Sequence, residues 1–512
     1  MEVKCDFALM GLVRGGSCRG SYARRGRAAL APAIQGVGQQ GDDGDNSVLR
    51  WAGFSARVRG VSLSIEKTAR EIVQRLHGAG FRAFWVGGCV RDFLLGRVPQ
   101  DYDIATNARP EEMEKLFPHT IPVGRQFGVL VVVVQGWQFQ LATFRAEADY
   151  RDGRRPESVV FAEAEADAAR RDFTINGLFY DPLAEELHDW VGGKADLAAR
   201  VIRTIGAPEE RFAEDHLRLL RAVRFAAQLN FEIEPATFAA IRLLAPKITV
   251  VSAERIREEL VKLFQPPHAA RGLVLLRDSG LLERVLPELA ATVTCAQSPD
   301  YHPEGSVFEH IRLMLDQLPV PCQESLPWSV LLHDIAKPIT ASTDAETGSI
   351  HFYGHERVGA EMAQAILERL RFPNKQISEI VECVRHHMQF KDVKQMRRAT
   401  RRRMLLRETF PLELQLHRLD CLGSHGSLEH YEYMLAEAAE LARLPALIPP
   451  LLNGHDLIAL GVRPGAELGR LLHELRDQQL QGDVATPEEA REWVVKSLKS
   501  QVGELGKRGD GG

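Results

Sequence analysis

VGGCVRDFLLGRVPQDYDIA, residues 86–105, begins at the end of an apolar run (Phe84, Trp85, Val86) that a glycine pair then breaks. Gly87 and Gly88 let backbone N–H groups approach an anion closely, and Arg91 adds a cation nearby. Asp101 and Asp103 stand two apart, so on a strand both carboxylates point to one face. Two carboxylates that close repel each other unless a cation lies between them. Mg²⁺ favours such hard oxygen ligands, together with waters and phosphates. A lone D-x-D is more often a solvated pair on a surface turn. The glycine pair, the arginine and the paired acids in one string instead read as a metal-dependent phosphoryl or nucleotidyl transfer site.

On either side of this run the sequence alternates between strand and helix. Ser64 is placed to cap a helix whose apolar positions Ile65, Ala69, Ile72, Val73 and Leu76 recur at helical spacing. Gly78 and Gly80 end it, and FRAFWV follows as a strand. VLVVVVQGWQFQLATF (129–144) predicts a hairpin turning at Gln135-Gly136. Mixed signals run to about residue 205; from about Glu210 onward strand signals nearly vanish. SAERIREELVKLF predicts a helix capped by Ser252, and a helix pair breaks around Asp278–Gly280.

The expected fold class is therefore α+β at the head, followed by all-α segments. Five parts are predicted: a disordered or mis-assigned extension (1–62), a head (63–205), an all-α neck (206–300), a histidine-rich helical domain (301–440) and a short helical tail (441–512). A chain of 512 residues is too long for one core, which agrees with several domains. The net charge of −5 excludes a uniformly basic nucleic-acid binder, so any RNA contact must come from local patches. The seven cysteines show no C-x-x-C spacing, which predicts free thiols in a reducing cytoplasm. No apolar run predicts a membrane span.

Further strings resemble, in order, the bacterial class II tRNA nucleotidyltransferase and poly(A) polymerase family. Besides GGCVRDFLLG with DYD, these are RRDFTINGLFYDP (170–182), GGKADL (192–197) and EDHLRLLRAVRF (214–225). The resemblance implies a polymerase-β-like nucleotidyltransferase head and transfer of nucleotides to an RNA 3′ end. It implies that Asp101 and Asp103 hold Mg²⁺ as the catalytic acids. Gly88, Arg91, Arg171 and Asp172 would then meet triphosphate and sugar, and Arg221 and Arg224 phosphates. Asp215 and Arg218 are expected to share one helix face and to read the base. An ionised Asp only accepts hydrogen bonds and Arg only donates. Cytosine and adenine both set an amino donor beside a ring-nitrogen acceptor; uracil and guanine reverse that order. The wrong base would leave buried polar groups unpaired, on the order of 1–3 kcal/mol each. One departure is Gln140, where many relatives carry a third carboxylate; Glu147 is an alternative acid. The loop DYRDGRRP (149–156), with Arg151, Arg154 and Arg155, is expected to be mobile and to touch RNA or triphosphate.

Residues 306–425 carry His310, His333, Asp334, His355, His386, His387 and Asp420, and LLHDIAKP resembles the signature of the HD phosphohydrolase superfamily. The set of N and O ligands suits a transition metal such as Ni²⁺, Mn²⁺, Fe or Zn²⁺. The alternative is a degenerate scaffold that binds RNA. Together these readings predict an enzyme that adds CCA from CTP and ATP to tRNA 3′ ends, with an HD domain acting on phosphate esters. A poly(A) polymerase, an enzyme adding only C or only A, an HD phosphohydrolase with an RNA-docking head, and a non-catalytic RNA-binding protein stay open at this stage. Oligomeric state and nucleotide order have no sequence signal.

Overall fold

A computed structural model describes residues 62–146, 160–297, 305–444 and 449–509. The predicted N-terminal extension, Glu147 and the arginine loop 149–156 lie outside the described residues. The head strands are β1 (Ala83–Val86), β2 (Asp103–Thr106), β3 (Thr120–Ile121), β4 (Val129–Val134), β5 (Trp137–Thr143), β6 (Arg145–Ala146), β7 (Val160–Phe161), β8 (Phe179–Asp181) and β9 (Glu186–His188). Seven of them form one mixed sheet in the order β3-β4-β5-β2-β1-β8-β9; β6 and β7 pair separately. The head is thus α+β, and predominantly helical segments succeed it along the chain, as expected.

Local chemistry accounts for the sheet. Gln135 and Gly136 both take positive φ (52° and 82°), the conformation of the tight turn that joins β4 to β5. All four residues of β1 are buried because the strand is covered on both faces. Its register sets Val86 opposite Asp103 on β2 and opposite Phe179 on β8. The chain therefore turns at Gly87 at the one sheet end where Asp103 begins its strand. Gly193, in the GGKADL string, packs so closely that a Cβ there would lie 2.1 Å from the Thr174 carbonyl oxygen. Only glycine fits that approach.

The neck contains helices Pro208–Glu214, Leu217–Leu229, Pro235–Leu244, Ala253–Leu263 and Ala269–Asp278. The third domain is built on Val307–Asp316, Ser325–Leu332, His355–Arg369, Asn374–His386 and Phe410–Gly423. One apolar core runs without a break from Ala69 in the head to Leu419. The tail packs on a separate small core from Leu452 to Val494. Among the described residues no helix is long and apolar enough to cross a membrane.

Two local expectations are corrected. The first helix begins at Ser62, so Ser64 lies inside it and is not its cap. EDHLRLLRAVRF is not one helix: the first ends at Glu214, Asp215 is extended (φ −148°, ψ 103°), and the next starts at Leu217. Asp215 breaks the helix because its side chain accepts the Leu217 amide at 3.0 Å, a short-range bond that competes with helix continuation.

Candidate functional site

Gly87 holds φ 74°, and a Cβ there would meet Arg171 Nη1 at 3.1 Å; one at Gly88 would lie 3.7 Å from Arg91 Nη2. Two guanidinium groups therefore flank the glycine pair. Arg171 is anchored by Asp167 (3.1 Å) and lies over the Phe179 ring. Arg91 is buried, donating to Asn176 Oδ1 at 2.8 Å and pairing with Asp92. Asp101 and Asp103 are both exposed at this end of the sheet. Although open to solvent by area, the Asp103 carboxyl is ringed by protein atoms. That enclosure, followed by the charge of Asp101, raises it to about 6, while Arg171 pulls the other way. The pair is short of positive charge, which fits a divalent cation. Gln140 is exposed on β5, one step before the Ile104–Leu141 parallel pairing, and so stands beside Asp103 with no charge to add.

The sequence-predicted neck residues separate into two sets. Asp172 is buried and grips Arg221 through two bonds (2.9 and 2.6 Å) while also taking Asn176 Nδ2. Burial opposes its charge, yet Arg221 and Asn176 hold the carboxyl at about 2. Arg224 is buried against Glu259 at 2.6 Å and lies over the Phe225 ring. Arg221 and Arg224 thus turn inward onto carboxylates, contrary to the expectation that both face phosphates. Asp215 and Arg218 do not share one helix face as expected, because Asp215 lies in the break between the two helices. Asp215 pairs with Arg255 at 2.7 Å, and Arg218 pairs with Glu214 and donates to the Arg170 carbonyl. Sequence reading missed Arg255, Glu259 and Asp167; the first two pair with another element, which spacing cannot show, whereas Asp167 stands three and four residues before Arg170 and Arg171, a spacing that could have flagged it.

The histidine domain brings its candidates together with one exception. His310, His333 and Asp334 form one buried group, and Asp334, His355 and His387 form another, with ligand atoms within 4.8 Å of one another in each. Asp334 is common to both. Asp420 closes the first group, its Oδ1 3.0 Å from His310 Nε2. The Nδ1 atoms of His333, His355 and His387 each lie 2.7–2.8 Å from the carbonyl three residues upstream (Val330, Phe352, Val384). A carbonyl only accepts, so each Nδ1 carries the proton and each Nε2 lone pair is aimed at the cluster. His355 and His387 meet Nε2 to Nε2 at 3.1 Å. Two ligands on adjacent corners of one ion at about 2.1 Å lie about 3 Å apart, so the donor set fits a transition metal. Burial works against a charge on His355, but Asp334 outweighs it and raises its pKa; on His387 burial wins and the pKa falls.

The exception is His386. Its Nδ1 faces Glu382 (3.5 Å) and Glu413 (3.9 Å), away from the cluster. His386 is the last residue of its helix and His387 opens a 3₁₀ turn, and successive residues on a helix do not share a face, so the neighbouring rings diverge. Two further residues belong beside the cluster. Lys337 reaches Asp334 Oδ2 at 2.7 Å and Gln297 Oε1 at 2.6 Å. Lys337 lies one helical turn after Asp334, a spacing that could have flagged it; Gln297 has no such signal.

Three family models match the chain: the poly A polymerase head domain over residues 83–203, the probable RNA and SrmB-binding site of polymerase A over 230–292, and the HD domain over 306–420. The A-adding tRNA nucleotidyltransferase of Deinococcus radiodurans is 36% identical over 435 residues, 82% of this chain and 96% of that relative. The chain belongs to the tRNA nucleotidyltransferase and poly(A) polymerase family. The CCA-adding enzyme of Geobacillus kaustophilus is 46% identical over 228 residues, which is 44% of this chain and 56% of that relative. The crystal structure of the Bacillus stearothermophilus CCA-adding enzyme in complex with CTP aligns with a TM-score of 0.66 at 27% identity, covering 87% of this chain and all of that one. This tRNA nucleotidyltransferase family member is an enzyme with an HD domain joined to its head and neck. Domains of both kinds are metal-dependent as classes.

Proposed function

We propose that this nucleotidyltransferase adds CCA to tRNA 3′ ends from CTP and ATP. The observation that carries the reading is the Asp101–Asp103 pair at the Gly87 turn, flanked by Arg171 and Arg91. Asp101 and Asp103 would hold Mg²⁺, which supplies positive charge where a triphosphate and a 3′ hydroxyl meet. Gly87 and Gly88 leave room for phosphate oxygens against the backbone, and Arg171 and Arg91 orient them with planar donor forks. Asp172 acts by fixing Arg221, and through it the start of the helix Leu217–Leu229. Asp215 and Arg218, each anchored by its own partner, present separate acceptor and donor edges to the base. Incorporation of each NTP, alone and in combination, into a tRNA transcript lacking its 3′ end tests this. CTP followed by ATP incorporation is expected. Incorporation of ATP onto a transcript already ending in CC, with no use of CTP on one that lacks its whole 3′ end, supports the second reading, A addition only. That reading has its own support in a relative, matched over 96% of its length, that is A-adding.

The HD domain completes the proposal. His310, His333, Asp334, His355, His387 and Asp420 would hold one or two transition-metal ions, Ni²⁺ or Mn²⁺ among them, with Fe and Zn²⁺ as alternatives. Such an ion supplies Lewis acidity toward a phosphate ester. The substrate class is a 2′,3′-cyclic phosphate or a terminal phosphate on RNA, removal of which leaves the free 3′ hydroxyl that the head extends. A cytoplasmic site of action is supported by the free thiols Cys89, Cys295, Cys322, Cys383 and Cys421.

A further inference from the structure

Three exposed apolar side chains stand within two residues, along the chain, of groups in or beside the histidine cluster. Among the described residues between 325 and 425, the large apolar side chains most open to solvent are Ile339, Tyr353 (77% exposed) and Met388. Ile339 lies two residues after Lys337, Tyr353 two before His355, and Met388 one after His387. Scattered exposed apolar residues need no explanation, but three that each follow or precede, within two residues of the chain, a group of one polar site do.

Tyr353 is held in place while its ring stays open. Before it, the Phe352 carbonyl accepts His355 Nδ1 at 2.7 Å, and the Phe352 ring faces Lys337 Nζ at 5.3 Å. After it, Gly354 turns the chain with φ 72° into the helix that starts at His355. The Tyr353 ring stacks on His351, with centroids 5.3 Å apart and planes inclined by 20°. One face of this aromatic pair is therefore backed and the other is free. Two Cα steps of about 3.8 Å separate Tyr353 from His355, a reach comparable with one nucleotide. A small phosphate ester without a base has no use for such a surface. A nucleobase has a π face that any aromatic platform accepts.

We infer that Tyr353, backed by His351, stacks the base of the terminal nucleoside whose phosphate enters the histidine–aspartate cluster. This rests on the phosphohydrolase reading above and narrows its substrates to nucleotide ends.

The test uses the full chain with Mn²⁺ or Ni²⁺ and two cyclic phosphodiesters. One is uridine 2′,3′-cyclic phosphate; the other is the cyclic phosphate of 1,2-propanediol, which has the same reacting ring and no base. Tyr353→Ala should raise KM for the uridine ester roughly tenfold, with Tyr353→Phe close to wild type. The base-free ester should show no comparable change. A second measurement needs no turnover: binding of uridine 2′-monophosphate to wild type and to Tyr353→Ala by equilibrium dialysis. Weaker binding by the alanine variant supports the platform even when neither ester is hydrolysed, in which case only the phosphohydrolase reading falls. Equal binding by both proteins, or an equal loss on both esters, overturns the inference.

Discussion

His355 and His387 face each other Nε2 to Nε2 at 3.1 Å, each with its Nδ1 proton donated to a main-chain carbonyl. Two lone pairs at that separation repel unless a cation sits between them. His387→Ala should lower the transition metal retained by purified protein by about tenfold or more. His386→Ala, one residue earlier, should keep it, because that ring faces Glu382 and Glu413. Metal analysis of both variants decides; equal loss would show that the cluster has been assigned to the wrong ring. Asp334→Ala should remove metal and phosphoesterase activity together and leave nucleotide addition largely intact.

Asp103 gives the head a pH signature. Its carboxyl is raised from 3.8 to about 6, so between those values the folded chain holds a proton that the unfolded chain has lost. Metal-free stability should therefore fall as pH rises from about 4 to above 6. Added Mg²⁺ should reverse that fall. Asp103→Asn should flatten the pH dependence of the melting temperature and abolish NTP incorporation with little loss of RNA binding, which draws mainly on phosphate contacts elsewhere. A variant retaining more than about a tenth of wild-type incorporation would rule out a metal role for Asp103.

Base choice should depend on two residues that do not touch through their side chains. Arg218→Ala should lower CTP and ATP use and narrow the gap to UTP and GTP. Asp215 is held by Arg255 at 2.7 Å. Arg255→Ala and Asp215→Ala should then be markedly non-additive in four-nucleotide competition. Additive effects would mean that Arg255 serves the neck and not base choice.

Glu259 is buried against Arg224 at 2.6 Å and within 3.6 Å of Arg221. Glu259→Ala leaves a buried guanidinium without its carboxylate and should cost roughly 3–5 kcal/mol in denaturant unfolding. A change below about 1 kcal/mol would show that water reaches Arg224.

Local features were legible from sequence because short-range chemistry sets them. The Gln135-Gly136 turn, the buried strand Ala83–Val86 and the Gly87 hinge arise from backbone freedom and apolar patterning within a few residues. The acids and histidines were legible as residue types for the same reason. Tertiary structure alone decided their partners. Asp215 and Arg218 do not share a helix face because the Asp215 side chain takes the Leu217 amide and ends the helix, and Arg255, 40 residues on, is the charge that Asp215 meets. Arg224 looked like a free cation in a basic helix, yet Glu259 from a separate helix buried it. His386 and His387 are adjacent in the chain and of one residue type, and only the packing around their helix end sets one ring toward Asp334 and the other toward Glu382 and Glu413. A sequence lists the groups a chain can offer; which of them meet depends on packing between elements far apart in the chain, where one charge's best partner is settled by what else is buried with it.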